Sequence, residues 1–308
     1  MTVWCGANWN GLDFAPEAMA LLQAEVGQEL VLGGLPRGEV LLGQPSVEGA
    51  LANPDLRWIH VTSAGFTRYD TADFRSALAE RGAALTNSSS VFDEPCAQHL
   101  LAFLLAFARQ LPEALKEQHG AREWSATKRR LDSRLLQDGK LLIVGYGAIG
   151  RRLAELVKPF RMDVVAVRRR PRGDEIVPTR PMEELDGLLG EADYVANILP
   201  ANAESERLFD AGRFARMRPG ALFMNIGRGV TVDQDSLLAA LPRLGGAYLD
   251  VTDPEPLPRE HPLWDAANVV ITPHTGGGHR GEDVRLVRHF LQNLRRFESG
   301  APLTDRVM

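Results

Sequence analysis

Three charged or titratable side chains follow apolar runs in the second half of the chain. Arg228 comes shortly after the run that ends at Ile226, Glu255 stands between two prolines, and His274 follows Thr272-Pro273. Hydride addition to a ketone develops negative charge on oxygen, which requires an acid near neutral pH and a positive clamp. A histidine beside a carboxylate can be that acid, because the carboxylate favours the charged imidazolium. An arginine can be the clamp.

Each of these residues also has a purely structural interpretation. Arg228 could form a salt bridge at a sheet end, Glu255 could be one of several acids on an exposed loop, and His274 could be a hydrogen-bonded core histidine. Their shared position favours a catalytic role over these structural ones, because each residue lies at the carboxyl end of a predicted strand. Such ends converge on the cleft of an open α/β sheet.

A glycine-rich segment predicts a dinucleotide site. Gly145-Tyr146-Gly147-Ala148-Ile149-Gly150 follows an apolar strand and opens a helix of small and apolar residues. In this context the first glycine permits the tight turn, the second lets backbone approach a pyrophosphate, and the third allows close packing of helix on strand. The helix amino terminus then offers N–H groups to the phosphates.

The end of the following strand predicts which dinucleotide binds. An acid about 20 residues past the glycine loop would accept hydrogen bonds from the ribose of NAD. Here the strand ends in Arg168, Arg169 and Arg170, which begin 18 residues after Gly150, and Glu175 comes too late to be that acid. Guanidinium groups suit a 2′-phosphate. We therefore expect NADP(H) to be preferred, with NAD(H) as the second option.

The glycine loop followed by Arg228, Glu255 and His274 in that order resembles the D-isomer specific 2-hydroxyacid dehydrogenase family. The resemblance is dense from about Gly139 to Gly278 and thinner over residues 57–110. It implies that Arg228 binds the carboxylate and carbonyl of a 2-oxo acid. It further implies that His274 donates a proton to the carbonyl oxygen and that Glu255 holds His274 protonated.

The resemblance also implies further binding residues. Ser63-Ala64-Gly65 is similar to the family loop whose backbone N–H groups hold the substrate carboxylate. Leu199-Pro200 resembles the stretch near the cofactor ribose, and Asp250 matches the position that contacts the nicotinamide amide. The remaining cofactor contacts that we expect are Ile226, Gly227 and Gly276.

Within the family, the arginine run favours the NADPH-dependent glyoxylate and hydroxypyruvate reductases, which reduce a small 2-oxo acid to the D-2-hydroxy acid. Two alternatives stay open. One is a dehydrogenase for a bulkier 2-oxo acid, and the other is an NAD(P)-sensing interaction protein like the corepressors built on this scaffold. Fold-level analogy does not choose between them.

The elements that would position these residues alternate between strands and helices. Apolar runs predict strands at Val40–Leu42 and Trp58–Val61, and a second series at 141–144, 163–167, 194–198, 221–226, 246–250 and 269–272. Helices are predicted at Thr71–Arg81, at about 95–118 and at about 280–298. This rhythm predicts an α/β protein with two doubly wound parallel sheets.

The predicted domains are discontinuous. A Rossmann dinucleotide-binding domain, residues 94–278, is inserted in a flavodoxin-like substrate domain formed by residues 1–93 and 279–308. We expect the chain to cross near residues 87–95 and again at the glycines 276–278.

Composition limits the remaining classes. The chain has 308 residues, 35 basic and 40 acidic, with a net charge of −5, which argues against a nucleic-acid or anionic-membrane surface. Cys5 and Cys96 are its only cysteines, so we expect no cysteine-based metal site. This cysteine usage suits a reducing compartment, and we expect a cytoplasmic location. The apolar run Leu100–Ala108 is too short for a bilayer, which needs about 20 residues, and favours a homodimer face.

Overall fold

A computed structural model describes residues 1–8 and 10–308. Its strands are β1 Thr2–Cys5, β2 Glu29–Leu32, β3 Val40–Leu42, β4 Trp58–His60, β5 Ala84–Thr86, β6 Lys140–Val144, β7 Asp163–Val167, β8 Thr179–Arg180, β9 Tyr194–Asn197, β10 Leu222–Asn225, β11 Gly246–Leu249 and β12 Val269–Ile271. Its α-helices are α1 Pro16–Glu25, α2 Val47–Ala52, α3 Ala72–Glu80, α4 Ser89–Ala108, α5 Leu111–His119, α6 Ala126–Asp132, α7 Ala148–Val157, α8 Leu185–Leu189, α9 Ala211–Arg216, α10 Gln234–Ala240 and α11 Glu282–Glu298.

The chain folds into two compact units. The terminal unit comprises Met1–Phe92 and Gly278–Met308, and the central unit comprises Asp93–Gly277. The sequence places these boundaries after residues 93 and 278, and the assignment of a substrate and a cofactor role to the two units stays a prediction.

Both sheets are entirely parallel, which confirms the predicted fold class. The terminal unit has five strands in the order β2-β1-β3-β4-β5, the flavodoxin-like order. The central unit has seven strands in the order β12-β11-β10-β9-β6-β7-β8. The strand order reverses at β6, which has β7 on one side and β9 on the other. Ligands of open α/β sheets bind at the carboxyl ends of strands at such a point.

The terminal unit is completed by the last residues of the chain. Val307 donates its backbone N–H to Leu85 of β5, and Leu85 donates to Met308. Asp305 accepts hydrogen bonds from both the backbone and the hydroxyl of Ser90, at the start of α4. Residues 304–308 therefore fasten both the edge of the sheet and the beginning of that helix.

His60 lies at the centre of a buried polar group in the same unit. It is 0% exposed, with Nδ1 2.8 Å from Thr86 Oγ1 and Nε2 3.2 Å from Ser88 Oγ. Burial, reinforced by nearby His289 and opposed by Asp305, holds the pKa of His60 well below its usual value. The imidazole is therefore neutral and works as a hydrogen-bonding core residue.

The prediction of one long helix at about 95–118 is wrong in its bounds. The structure has α4 at Ser89–Ala108 and a separate α5 at Leu111–His119, with Gln110 between them in the left-handed region at φ 59°. Pro112 explains the break, because within one continuous helix its ring would clash with the carbonyl of Ala108. At the start of α5 the missing N–H is instead tolerated.

Within residues 1–8 and 10–308, α4 is the one helix whose length and composition would allow it to cross a membrane. A buried helix of a globular protein meets the same criterion. Seven of its residues are buried, namely Val91, Phe92, Cys96, Ala97, Leu100, Leu104 and Ala108. The nine-residue run considered from the sequence is thus part of a longer apolar helix.

Candidate active site

The glycine loop has the shape that a dinucleotide requires. Gly145 takes φ +103°, and a Cβ there would lie 3.0 Å from the carbonyl of Ile198 on the neighbouring strand end. A Cβ at Gly150 would lie 2.8 Å from the oxygen of Gly145. A Cβ at Gly147, which caps α7, would meet nothing within 4 Å. Two glycines thus allow close packing, and the middle one leaves backbone open for a phosphate at the helix amino terminus.

The arginine run begins beside this loop. The N–H of Gly145 donates to the carbonyl of Val167, the residue before Arg168. Arg168 Nη1 lies 3.0 Å from Glu175 Oε1, and the exposed Arg169 lies 3.1 Å from Glu204. Arg170 has no carboxylate within 4 Å among the described residues. Two of the three predicted phosphate ligands are therefore already paired with acids.

Arg228 stands just beyond β10 with its backbone fixed and its guanidinium free of acids. Its carbonyl accepts hydrogen bonds from Asn225 Nδ2 at 3.1 Å and from Thr231 Oγ1 at 2.6 Å. The side chain is half-buried, and burial lowers its pKa, while the charge of Glu255 opposes that effect. Among the described residues no carboxylate lies within 4 Å of it. The guanidinium donates from Nη1 to the carbonyl of Gly227 at 2.6 Å. A partly desolvated guanidinium without a carboxylate partner is suited to an anionic ligand.

His274 is held by Glu255 from the adjacent strand end. Nδ1 of His274 lies 2.5 Å from Oε1 of Glu255. The imidazole follows β12 and Glu255 lies on the turn after β11, so neighbouring strands of one sheet bring them together. His274 has a left-handed backbone at φ 51°, and its N–H donates to the carbonyls of Asp250 and Thr272. Non-glycine residues persist in such a conformation where the surroundings hold them there.

The loop that carries His274 is organised by the buried carboxylate of Asp250. Its Oδ1 accepts the hydroxyl of Thr272 at 2.6 Å and the N–H of Thr275 at 2.9 Å, and its Oδ2 accepts the N–H of Gly276 at 2.9 Å. Asp250 is 2% exposed. A charged carboxylate that accepts several hydrogen bonds is a strong local anchor.

The other predicted cofactor contacts lie along the same edge of the sheet. A Cβ on Gly227 would lie 2.4 Å from the oxygen of Leu199, and one on Gly276 would lie 2.5 Å from Ile226 Cδ1. The strand ends after β9, β10 and β12 are thus in van der Waals contact. Pro200 directly follows Leu199 on the same segment.

The family model for the D-isomer specific 2-hydroxyacid dehydrogenase NAD binding domain matches residues 101–276. The chain belongs to the D-isomer specific 2-hydroxyacid dehydrogenase family. The resemblance noted from the sequence is thereby confirmed, and the protein is an oxidoreductase that uses a nicotinamide dinucleotide.

Curated and solved members of this dehydrogenase family cover most of the chain. Glyoxylate/hydroxypyruvate reductase B of Shigella boydii is 37% identical over 77% of this chain and 74% of its own length. The NADPH-dependent glyoxylate/hydroxypyruvate reductase of Sinorhizobium meliloti, solved with NADP and sulfate, is 26% identical. It has a TM-score of 0.79 and covers 100% of this chain and 98% of that one. A Xanthobacter autotrophicus family member, solved with NADPH and MES, is 25% identical, with a TM-score of 0.83 and coverage of 99% and 98%.

The segment that the family resemblance assigns to the substrate carboxylate lies in the terminal unit. Ser63 Oγ donates to the carbonyl of Gly65 at 2.6 Å, and Asn87 Nδ2 donates to that of Ala64 at 2.7 Å. Gln44 Nε2 donates to Ser63 Oγ at 3.0 Å. Side chains from two other segments therefore hold Ser63-Ala64-Gly65 in one conformation, and its role in this dehydrogenase stays a prediction.

Two residues of the central unit were not among the candidates from sequence. His99 on α4 has Nε2 4.0 Å from Asp250 Oδ1 and 3.4 Å from Thr272 Oγ1, and burial lowers its pKa. Glu175 carries the ion pair with Arg168. His99 has no sequence signal beyond being a histidine on an apolar helix. For Glu175 the signal is an acid shortly after an arginine run, although it comes too late in the sequence to be the ribose-binding acid of an NAD site.

Proposed function

We propose that this dehydrogenase reduces a small 2-oxo acid, of the glyoxylate or hydroxypyruvate kind, to the D-2-hydroxy acid with NADPH. The observation that carries the proposal is the combination on one sheet edge of an acid-free guanidinium, Arg228, with the hydrogen-bonded pair His274 and Glu255. A positive clamp and an oriented proton donor are the two groups that carbonyl reduction requires.

In this mechanism Arg228 binds the substrate carboxylate and polarises the keto oxygen. Glu255 accepts the Nδ1–H of His274. This leaves Nε2 to donate a proton to the oxygen as it becomes a hydroxyl, and in the oxidative direction Nε2 takes that proton back. A nicotinamide bound at this site would supply the hydride. The backbone N–H groups of the loop at Gly147 and the amino terminus of α7 would hold the pyrophosphate.

The preference for NADP(H) over NAD(H) rests on two supports. Arg168, Arg169 and Arg170 follow β7 at the position where an NAD-specific site has an acid. The solved relatives from Sinorhizobium meliloti and Xanthobacter autotrophicus bind NADP and NADPH. We assign the dinucleotide to the central unit and the Ser63-Ala64-Gly65 substrate loop to the terminal unit.

We also propose that the protein is a homodimer. Among the described residues, five of the eleven exposed large apolar side chains fall in one stretch of the central unit: Leu111, Leu115, Trp124, Leu131 and Leu135. The same stretch follows the apolar helix α4. Exposed apolar side chains concentrated in one segment favour an interaction surface, and we infer that a second copy of the chain covers it.

The reaction is tested by following NADPH oxidation by the purified chain with glyoxylate, hydroxypyruvate, pyruvate and phenylpyruvate. We expect turnover with the small acids, and a roughly 10²–10⁴-fold lower kcat in His274→Gln. His119→Gln, on the exposed end of α5, is the matched control and keeps full activity.

Each alternative has its own result in that assay. Faster turnover with phenylpyruvate would assign the bulkier substrate class. NADPH binding without turnover of any acid would contradict the proposed reaction and favour the sensing role.

A further inference from the structure

A single carboxylate closes the loop that carries the arginine run. Residues 168–178 connect β7 to β8, and Glu175 Oε1 accepts the N–H of Arg172 at 2.7 Å and Nη1 of Arg168 at 3.0 Å. Its other oxygen accepts the N–H of Gly173, also at 2.7 Å. Glu175 therefore fixes both the turn at 172–173 and the one arginine side chain of the run that is not exposed.

The environment of Glu175 is unusual for a surface loop. Residues 171–174 are exposed, whereas the Glu175 side chain is only 6% exposed. The backbone hydrogen bond from Arg172 and that from Gly173, together with the bond from Arg168, lower the pKa of Glu175 to about 2 despite the opposing effect of desolvation. The carboxylate is ionised at any physiological pH and its oxygens are occupied by three donors.

The loop is also tied to the phosphate-binding helix. Arg151 in the first turn of α7 donates from Nη1 to the carbonyl of Asp174 at 3.2 Å. The segment that Glu175 closes is thus held against the element that the pyrophosphate would contact. A displacement of this loop moves its arginines relative to the glycine motif.

We propose that Glu175 is a positioning residue that determines cofactor specificity. It holds the loop so that Arg168, Arg170 and Arg172 face the 2′-phosphate of NADP(H). This inference rests on the proposed preference for NADP(H). Although Glu175 bears the same charge as the phosphate, its oxygens are already used by the loop, and its contribution is to hold the cations in place. A preorganised arginine loses less freedom when the phosphate binds.

Glu204 offers a matched control in the same arginine-rich surface. It pairs with Arg169 at 3.1 Å, but both side chains are 71% exposed. Ion pairs between side chains this exposed contribute little to the stability of the fold. Removing the charge of Glu204 changes the local net charge by the same amount as removing that of Glu175, without opening a loop.

The test compares dissociation constants for NADPH and NADH in the full-length wild type and in Glu175→Gln, Glu175→Ala and Glu204→Gln. We expect Glu175→Ala to weaken NADPH binding at least about ten-fold and NADH binding less than about two-fold. Glu175→Gln, which keeps one acceptor oxygen, should lie between it and the wild type. Glu204→Gln should change neither constant by more than about two-fold. The kcat for the same 2-oxo acid should be unchanged in Glu204→Gln.

Two results would overturn the inference. One is tighter NADPH binding in Glu175→Gln, since Glu175 would then repel the phosphate. The other is an unchanged ratio of the NADPH and NADH dissociation constants in the Glu175 variants, whether both constants change equally or neither changes. Equal NADPH and NADH binding by the wild type would instead remove the proposed cofactor preference, and this inference with it. A melting temperature recorded for every variant separates loss of folding from loss of discrimination, and Glu175→Gln provides the answer if Glu175→Ala does not fold.

Discussion

Oε1 of Glu255 lies 2.5 Å from Nδ1 of His274, while the two side chains keep 41% and 42% of their surface exposed. The imidazole is thus oriented by a short charge-assisted contact and still reachable from solvent. A buried ion pair would be oriented but closed to a ligand. This combination suits a group that must exchange a proton with something that enters and leaves.

Replacing Glu255 by Gln should lower kcat about 10- to 100-fold. The amide oxygen can still accept the Nδ1–H of His274, so the ring keeps its orientation, but the hydrogen bond to a carboxylate is replaced by a weaker one to a neutral amide. Steady-state kinetics with NADPH and a 2-oxo acid measures the effect. Glu260→Gln, an exposed acid further along the same loop, is the control and should retain wild-type kcat. Equal kcat in the two variants would show that Glu255 is only a loop acid.

Arg228 should be needed for the substrate and not for the cofactor. We expect Arg228→Gln to lower kcat/KM for the 2-oxo acid by about 10²-fold or more, because the charge-assisted contact is lost. Arg228→Lys should recover only part of that loss, since an ammonium lacks the two-pronged geometry. Fluorescence titration should give NADPH dissociation constants within about two-fold of wild type. Arg259→Gln, on an exposed loop, serves as the control, and an equal effect of both substitutions would exclude a specific role for Arg228.

The buried His60 should make the stability of the terminal unit fall below about pH 6.5, the ordinary pKa of histidine. Its folded pKa is lowered by burial, with a smaller effect from His289, while Asp305 opposes the shift. The unfolded chain therefore binds a proton that the folded chain does not. The free energy of unfolding has its full value above about pH 6.5. It decreases as the pH falls below that value, by up to about 1.4 kcal/mol per pH unit.

Urea unfolding of wild type and His60→Gln between pH 5 and 8 checks this dependence. The variant should be less stable at pH 8, because Thr86 and Ser88 lose a hydrogen-bonding partner. Its stability should decline less steeply toward pH 5, by about one proton. Parallel curves for the two proteins would mean that another group takes up the proton.

The exposed apolar side chains between Leu111 and Leu135 should be required for the homodimer to form. Leu131→Glu and Leu135→Glu, at positions 80% and 67% exposed, should shift the chain from dimer to monomer, because each would place a charge in the shared face. Sedimentation velocity across a range of protein concentrations measures the change. Leu35→Glu, at an 85% exposed position of the terminal unit, should leave the dimer intact. A monomeric wild type would refute the homodimer.

The strands that carry the candidate site could be predicted to within about a residue at each end. The six strands predicted from 141 to 272 correspond to β6, β7, β9, β10, β11 and β12. They are short, mainly apolar runs, and strands buried on both faces are composed in this way. Placement of Arg228, Glu255 and His274 at one sheet edge followed from the strand ends alone.

Other features depend on contacts between distant parts of the chain. Glu175 lies seven residues beyond Arg168, too late in the sequence to be the ribose-binding acid of an NAD site, and the loop folds back to join the two side chains. His99 reaches Asp250 from a helix 151 residues earlier, and no local pattern indicates that encounter. The break at Gln110 did have a local signal, Pro112, but the helix-like composition on both sides obscured it.

The fastening of residues 304–308 to β5 and to Ser90 has a consequence for the order in which the molecule can form on the ribosome. All of the central unit, Asp93–Gly277, is synthesised before α11 and residues 304–308 emerge. Residues 1–92 therefore lack α11 and the segment 304–308 until the central unit has been synthesised, so the terminal unit can be completed only after the segment that is inserted into it.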